Sequence, residues 1–343
     1  MKKLFLLSNL AIVLMASSFA QNVGIGTITP ASKLHIKGSV DATQLIIDAN
    51  SSQSNTNPLI KLRKSDGTDL MWIHSDNITN SFVGLNAGRM NTVGTGGVDN
   101  NFIGSNAGFS NTTGFQNTAN GAYALYFNTT GFANTANGYT ALYYNTTGTY
   151  NTAVGYSAGC INGTAPSNFT AIGYNAGMVG SNSNTVEIGN TGVSWIGGQV
   201  GWSTYSDGRI KDNIVANVPG LAFISRLRPV TYNLNIHRQN LLCGIADTAQ
   251  WEGKHDIEKI TETGFIAQEV EQAAIESNYN FNGVQKPKNN HDLYSLNYSS
   301  FVVPLVKAVQ ELEQIIETQK ADIDTLKVQV AELSKALNLL KNK

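Results

Sequence analysis

The sequence predicts a mostly β chain: a β-solenoid repeat body, then a small α+β domain, then a C-terminal coiled coil. Three observations carry this. Asn-Thr-Ala-Asn-Gly at 117–121 and 134–138 returns as Asn151-Thr152-Ala153-Val154-Gly155, at a fixed spacing of 17 residues. Only 14% of the chain is charged while it holds 33 glycines, a composition of turns rather than of a compact enzyme core. From Leu305 onward the apolar residues switch to an unbroken four-three alternation.

Residues 1–20 read as a secretory signal peptide, with Lys2 and Lys3 at the start, an apolar run from Leu4 to Met15, and Ser18-Phe19-Ala20 as a small-x-small cleavage site. That run is too short to span a bilayer, so no transmembrane segment is expected. No cysteine follows it directly, which gives no sign of a lipid anchor. The expected location is secreted or on the surface of a bacterium. Loss of the two lysines takes the formal net charge from −1 to −3, which leaves no electrostatic footprint for nucleic acid.

Residues 21–80 are read as a β-rich cap or stem. Leu59-Ile60-Lys61-Leu62 and Leu70-Met71-Trp72-Ile73 are strand-like and flank the turn Ser65-Asp66-Gly67. Gly24-x-Gly26 is no dinucleotide fingerprint, since the third glycine and a following helix are missing.

Residues 81–200 form the repeat body, with looser copies at Asn100–Gly104, Phe169–Gly173 and Thr185–Gly189. A fixed period with Gly and Asn at constant phase implies coils that bury a face only by stacking on each other. Ala122-Tyr123-Ala124-Leu125-Tyr126-Phe127 is a β-prone run and Asn128-Thr129-Thr130-Gly131 supplies turn chemistry, which predicts two short strands and two turns per coil. The style is similar to the β-roll heads of trimeric autotransporter adhesins. Repeated Asn and Thr with Tyr126, Tyr143 and Tyr144 offer two readings. They either present a surface to a host-surface glycan or protein receptor, or they complete turns and pack between coils, and the second is favoured. Asn128-Thr129-Thr130 also matches a glycosylation acceptor in form, though repeat geometry accounts for it.

Cys160 and Cys243 are the chain's cysteines and are read as buried, unpaired thiols. The scattered His35, His74, His237, His255 and His291 make no metal spacing, so no metal or cofactor is expected. Asp99 and Glu187 form no convincing pair of the kind glycoside hydrolysis requires.

In 201–304 the segment Tyr205-Ser206-Asp207-Gly208-Arg209-Ile210-Lys211-Asp212-Asn213-Ile214 opens a series of blocks. It continues with Leu227–Tyr232, with Gly264–Val270, where a helix is expected to begin and run to Glu276, and with Leu296-Asn297-Tyr298. A long polar stretch from Asn235 to Lys259, with Trp251 inside it, separates the second block from the third. The order and content of the blocks resemble the self-cleaving intramolecular chaperone domain that ends endosialidase-type phage tailspikes and many bacterial surface fibres.

The resemblance implies that Ser206 attacks the carbonyl of Tyr205, with Lys211 as base, and that the chain is cut between Tyr205 and Ser206. A lysine base must be neutral, which burial can impose at a cost of about 4 kcal/mol, and assembly is the expected source of that burial. Asp207, Arg209, Asn213, Gln268 and Glu269 are supporting positions, one of the acids near Lys211 pairing with Arg209. Gln268 and Glu269 are either contacts at a subunit interface or a solvated helix face.

In 305–343, Val309, Ile316, Ile323, Val330 and Leu337 hold one heptad position and Leu305, Leu312, Gln319, Leu326, Leu333 and Leu340 the other. β-Branched residues at a with leucine at d lean towards dimers. The repeat body and the resemblance both imply a homotrimer, the expected assembly. The reading is therefore an exported trimeric fibre or adhesin whose tail registers the chains and then severs itself. Its alternative is a trimer with a permanent, non-cleaving tail.

Overall fold

The computed structural model describes residues 23–25, 27, 29, 31–38, 43, 45–48, 55–160, 166–177, 183–245 and 252–341. The leader expected at 1–20, Gly26 and Trp251 lie outside them. The chain divides into two units, residues 1–53 and 54–343. In the first, β1 (Val23–Ile25) pairs in parallel with β2 (Leu34–Ile36).

The second unit opens with the antiparallel strands β3 (Ile60–Arg63) and β4 (Asp69–His74), and Asp66 turns the chain between them by accepting from the Thr68 amide at 2.8 Å. β4 pairs with β5 (Ser81–Val83), the first of a parallel stack. The stack continues through β6 (Asn101–Ile103), β7 (Thr118–Asn120), β8 (Thr135–Asn137), β9 (Thr152–Val154), β10 (Phe169–Ile172) and β11 (Thr185–Ile188). Among the described residues these make one nine-stranded sheet, in which the hairpin of β3 and β4 covers the first coil. The fold is therefore the expected mostly β solenoid followed by a small mixed region and a long helix.

Each coil contributes one strand of three or four residues, in the middle coils on the Asn-Thr-Ala motif, and not the two strands expected. The β-prone run Ala122–Phe127 is a turn stack in which Tyr123 (φ 61°) and Leu125 (φ 52°) are left-handed. Left-handed residues break the pleat. Their backbone groups still pair between coils, Leu125 N–H to the Ala141 carbonyl at 3.0 Å and Phe127 N–H to that of Tyr143 at 3.1 Å. Stacking thus satisfies the backbone and holds a conformation that the side chains alone would not choose.

Two asparagine ladders run through the interior. Asn111, Asn128 and Asn145 each donate Nδ2 to the Oδ1 of the equivalent residue one coil earlier, at 2.7, 2.8 and 2.9 Å. In the other, the backbone N–H groups of Asn117, Asn134 and Asn151 each donate to the previous ladder oxygen at 3.0 Å. The Nδ2 atoms of Asn111 and Asn100 converge on the Gly114 carbonyl, and those of Asn128 and Asn117 on that of Gly131. Asn100, Asn111, Asn117, Asn128, Asn134 and Asn151 are all buried. These are buried polar groups with their partners supplied by the next coil, the condition under which burial is tolerated.

After the solenoid, α1 (Leu221–Ile224) precedes β12 (Val230–Tyr232), α2 (Ile236–Leu242) and β13 (Glu262–Gly264). β12 and β13 pair antiparallel, Val230 opposite Gly264 and Tyr232 opposite Glu262. α3 spans Ala267–Glu276, so the helix expected from Gly264 begins three residues later, because Gly264 is committed to the strand. β14 (Val284–Gln285) and β15 (Ser295–Leu296) form a second hairpin, and the chain then enters α4 (Val302–Lys341). Phe223, Val270, Ala273, Ala274, Phe281 and Phe301 make the core, with the Phe281 and Phe301 rings 4.8 Å apart.

α4 is tied to this core at its start. Ala308 is buried, and Glu311 accepts from the backbone N–H of Leu221 at 2.7 Å, capping α1. Gly220 lies so close that a Cβ there would meet the Ala308 backbone. Beyond this, Leu305, Val309, Leu312, Ile316, Ile323, Leu326, Val330, Leu333, Leu337 and Leu340 are all exposed. A seam of that length on a helix of 40 residues is the unpaired half of a coiled coil.

Candidate functional site

The Ser206/Lys211 spacing becomes a contact through one turn of 3-10 helix at Gly208–Ile210. Asp207 caps it, its carboxylate accepting from the Arg209 backbone N–H at 2.9 Å and from Arg209 Nε at 3.0 Å. Those hydrogen bonds, the side-chain one first, hold the Asp207 carboxyl below the usual range and the Arg209 guanidinium above its own. The turn places Lys211 Nζ 2.7 Å from Ser206 Oγ. Asn213, at φ 55°, then redirects the chain.

The Asp207 carboxylate is thus paired with Arg209 and not with Lys211. Ser206 and Lys211 themselves are exposed. A lysine ammonium can only donate to a hydroxyl; a base must accept its proton. The single chain thus supplies proximity but not the exclusion of water that base chemistry requires.

The downstream blocks meet in space. Arg228 and Glu269, 41 residues apart, form a two-pronged ion pair at 2.5 and 3.1 Å, and the carboxylate raises the Arg228 pKa. The Tyr298 hydroxyl accepts from the Phe265 backbone N–H at 3.0 Å. Gly264 is buried where any Cβ would strike that hydroxyl, which explains a glycine inside a strand. Glu269 is therefore a link between blocks, whereas Gln268 stands exposed on the rim of a cleft of about 620 Å³. Its walls include Arg228, Tyr232, Phe265, Tyr294 and Tyr298. Arg228, Tyr232 and Tyr298 lay inside the quoted blocks, but contacts across 41 and 33 residues cannot be read from spacing.

Other candidates resolve differently. Asn128 is fully buried, so the acceptor triplet presents no amide to a glycosylating enzyme in the folded chain. Tyr126 stacks on Phe109 and Tyr143, with centroids 5.1 and 5.2 Å apart, and Tyr144 on Phe127 at 5.8 Å, so these tyrosines pack between coils. Asp99 precedes β6 and Glu187 lies in β11, five strand steps or about 24 Å along the stack, too far for a hydrolytic carboxylate pair. Cys160 and Cys243 are free; burial pushes the Cys160 thiol up to about 11 and raises that of Cys243, which keeps both unreactive. Among the described residues no cluster of His, Cys, Asp and Glu fits a metal, and no helix is long and apolar enough to cross a membrane.

No curated protein and no solved structure matches the chain. Residues 206–279 match the model of a peptidase family described as chaperone of endosialidase, so the segment from the Ser206/Lys211 turn through α3 is similar to an intramolecular chaperone of the self-cleaving kind.

Proposed function

We propose that the chain is an exported, homotrimeric surface fibre whose residues 201–343 register the three chains and then cut themselves off between Tyr205 and Ser206. The observation that carries this is the 2.7 Å contact of Lys211 with Ser206 at the start of the chaperone-like segment. On this reading Ser206 Oγ bonds to the Tyr205 carbonyl carbon while its proton passes to a neutral Lys211. The Tyr205–Ser206 C–N bond breaks as Lys211 returns that proton to the Ser206 amine. Water then hydrolyses the Tyr205–Ser206 ester, leaving a Tyr205 carboxylate and a free Ser206 hydroxyl. Registration has a physical motive: parallel coils of near-identical sequence specify their lateral alignment weakly, and non-local strand assembly is slow. A helix carrying an apolar seam fixes the alignment first.

Intact-mass analysis and N-terminal sequencing of purified protein test the reading. The expected products are a chain ending at Tyr205 and one beginning at Ser206, from a trimeric parent by light scattering. Ser206→Ala and Lys211→Ala stop cleavage, and so does Lys211→Arg, since a guanidinium stays protonated. A new N-terminus elsewhere, or trimers that remain whole, rejects it. The exposure of Ser206 and Lys211 favours the second reading, a trimer with a permanent tail.

A further inference from the structure

The segment around the Ser206/Lys211 turn has an apolar surface with nothing to cover it. Val200, Trp202, Tyr205, Ile210, Ile214 and Val215 are exposed, Trp202 at 92% and Tyr205 at 94% of their full areas. Single exposed apolar residues are ordinary, but six within sixteen positions mark a surface built to be covered. The turn's side-chain hydrogen bonds given above are local, between Asp207 and Arg209 and between Ser206 and Lys211. In the same unit the aromatic cleft of about 620 Å³ stands open, a volume in the range that takes a peptide side chain and its backbone.

We propose that residues 202–206 of one copy dock in the cleft of a neighbouring copy, the Tyr205 ring between Tyr232, Phe265 and Tyr298, with the neighbour's Gln268 amide donating to the Tyr205 carbonyl oxygen. The occupant is a second copy for two reasons. None of residues 200–215 lines the cleft of its own chain, and the apolar residues of that segment are open to water. The unpaired seam of α4 requires parallel helices in register, and the Leu221–Glu311 bond and Ala308 burial fix the cleft-bearing domain to that helix. Pairing the helices therefore brings the cleft-bearing domains of neighbouring copies to one level, each beside a copy that carries the exposed segment.

This rests on the cleavage reading above and supplies two things that site lacks in one chain. Docking removes water from Ser206 and Lys211. The Gln268 carboxamide places a donor where negative charge develops on the Tyr205 oxygen as the C–O bond forms, an arrangement worth about 100-fold or more in rate. Cutting then waits for assembly because part of the site belongs to the neighbour.

Photo-cross-linking tests the docking without needing cleavage. A full-length Ser206→Ala chain carrying benzoylphenylalanine in place of Tyr205 is co-expressed with a mass-tagged full-length Ser206→Ala chain that keeps Tyr205. Irradiation is expected to join the probe to tagged peptides containing 228–232, 265–268 or 293–298. Links only to the probe's own chain, or to tagged peptides elsewhere, overturn the docking, whatever the wild-type protein does. For the amide, Gln268→Leu homotrimers are expected to cut about 100-fold more slowly. Gln268→Leu chains mixed with Ser206→Ala chains, which keep Gln268, are expected to regain cutting. Wild-type rates in Gln268→Leu homotrimers, or no recovery in the mixture, overturn its role.

Discussion

Asn128 shows how much one repeated side chain holds. Its Nδ2 donates to Asn111 Oδ1 and to the Gly131 carbonyl, and its Oδ1 accepts from Asn145, all without contact with water. Asn128→Ala removes three buried hydrogen bonds at once and takes from Asn111 Oδ1 its donor, so a loss of roughly 3 kcal/mol is expected, read from urea unfolding of the full-length Ser206→Ala protein. Gly121→Ala is expected to cost at least as much. Gly121 has φ 142°, and a Cβ there would overlap the Gly138 carbonyl of the next coil. Asparagine and glycine at constant phase were legible in the sequence as turn chemistry. What spacing could not convey is that the turns face inward, where the amides bond to one another, because that depends on the neighbouring coil.

Within the coils, bulk trades places between two positions. At the strand centre Phe82 and Phe102 fill the core, and six residues on stand Gly88 and Gly108, where any Cβ would strike those rings. Two coils later the arrangement is reversed: Ala119 and Ala136 hold the strand centre while Leu125 and Leu142 supply the volume. Ala119→Phe alone overpacks a closed interior and Leu125→Gly alone opens a cavity, each costing about 2 to 4 kcal/mol. Together they reproduce the Phe102/Gly108 pair and also place glycine where Leu125 is left-handed. The double variant is expected to recover at least 2 kcal/mol of the summed loss in a double-mutant cycle, a coupling typical of residues in contact. Additive losses would show that the two positions do not share a volume. The strand itself was misplaced by the sequence reading for a related reason: Ala122–Phe127 has β-prone residues, but left-handed Tyr123 and Leu125 are imposed by stacking and no local preference announces them. The heptads of α4 were fully legible, since a helix writes its period into adjacent residues.

At the scale of the whole molecule, the two ends of the solenoid titrate in opposite senses. His74 is buried under the first coil, its ring 5.1 Å from Phe82, and burial lowers its pKa from 6.5 against an opposing pull from Asp76. The folded state then binds fewer protons than the unfolded, so this contribution is present above pH 6.5 and lost as the pH falls through the lowered value. Glu187 follows Ala171 in the parallel register and so occupies the core column at the last coil. Burial, helped by Asp292, pushes its carboxyl up to about 7 from 4.5. That contribution is present below pH 4.5 and lost as the pH rises through about 7. His74→Phe is expected to flatten the acid side of the stability profile, and Glu187→Gln to flatten the fall between about pH 4.5 and 7, the latter by up to about 3 kcal/mol, in thermal melts from pH 4 to 9. A Glu187→Gln profile that still falls between pH 5 and 8 would rule out that carboxyl as the cause.

The asparagine ladders have a mechanical meaning. Their bonds run along the stacking direction, so tension applied across the body loads them one coil after another and not all at once. Each coil touches only its neighbours, so a stretched solenoid should give way by unpeeling in units. A freed coil of 17 residues extends about 58 Å and surrenders a stacking rise of about 5 Å, for a net step near 53 Å. Pulling on single molecules between the first and last coils should therefore give a sawtooth of nearly equal teeth, and the repeat body would yield gradually under shear while each remaining coil stays intact.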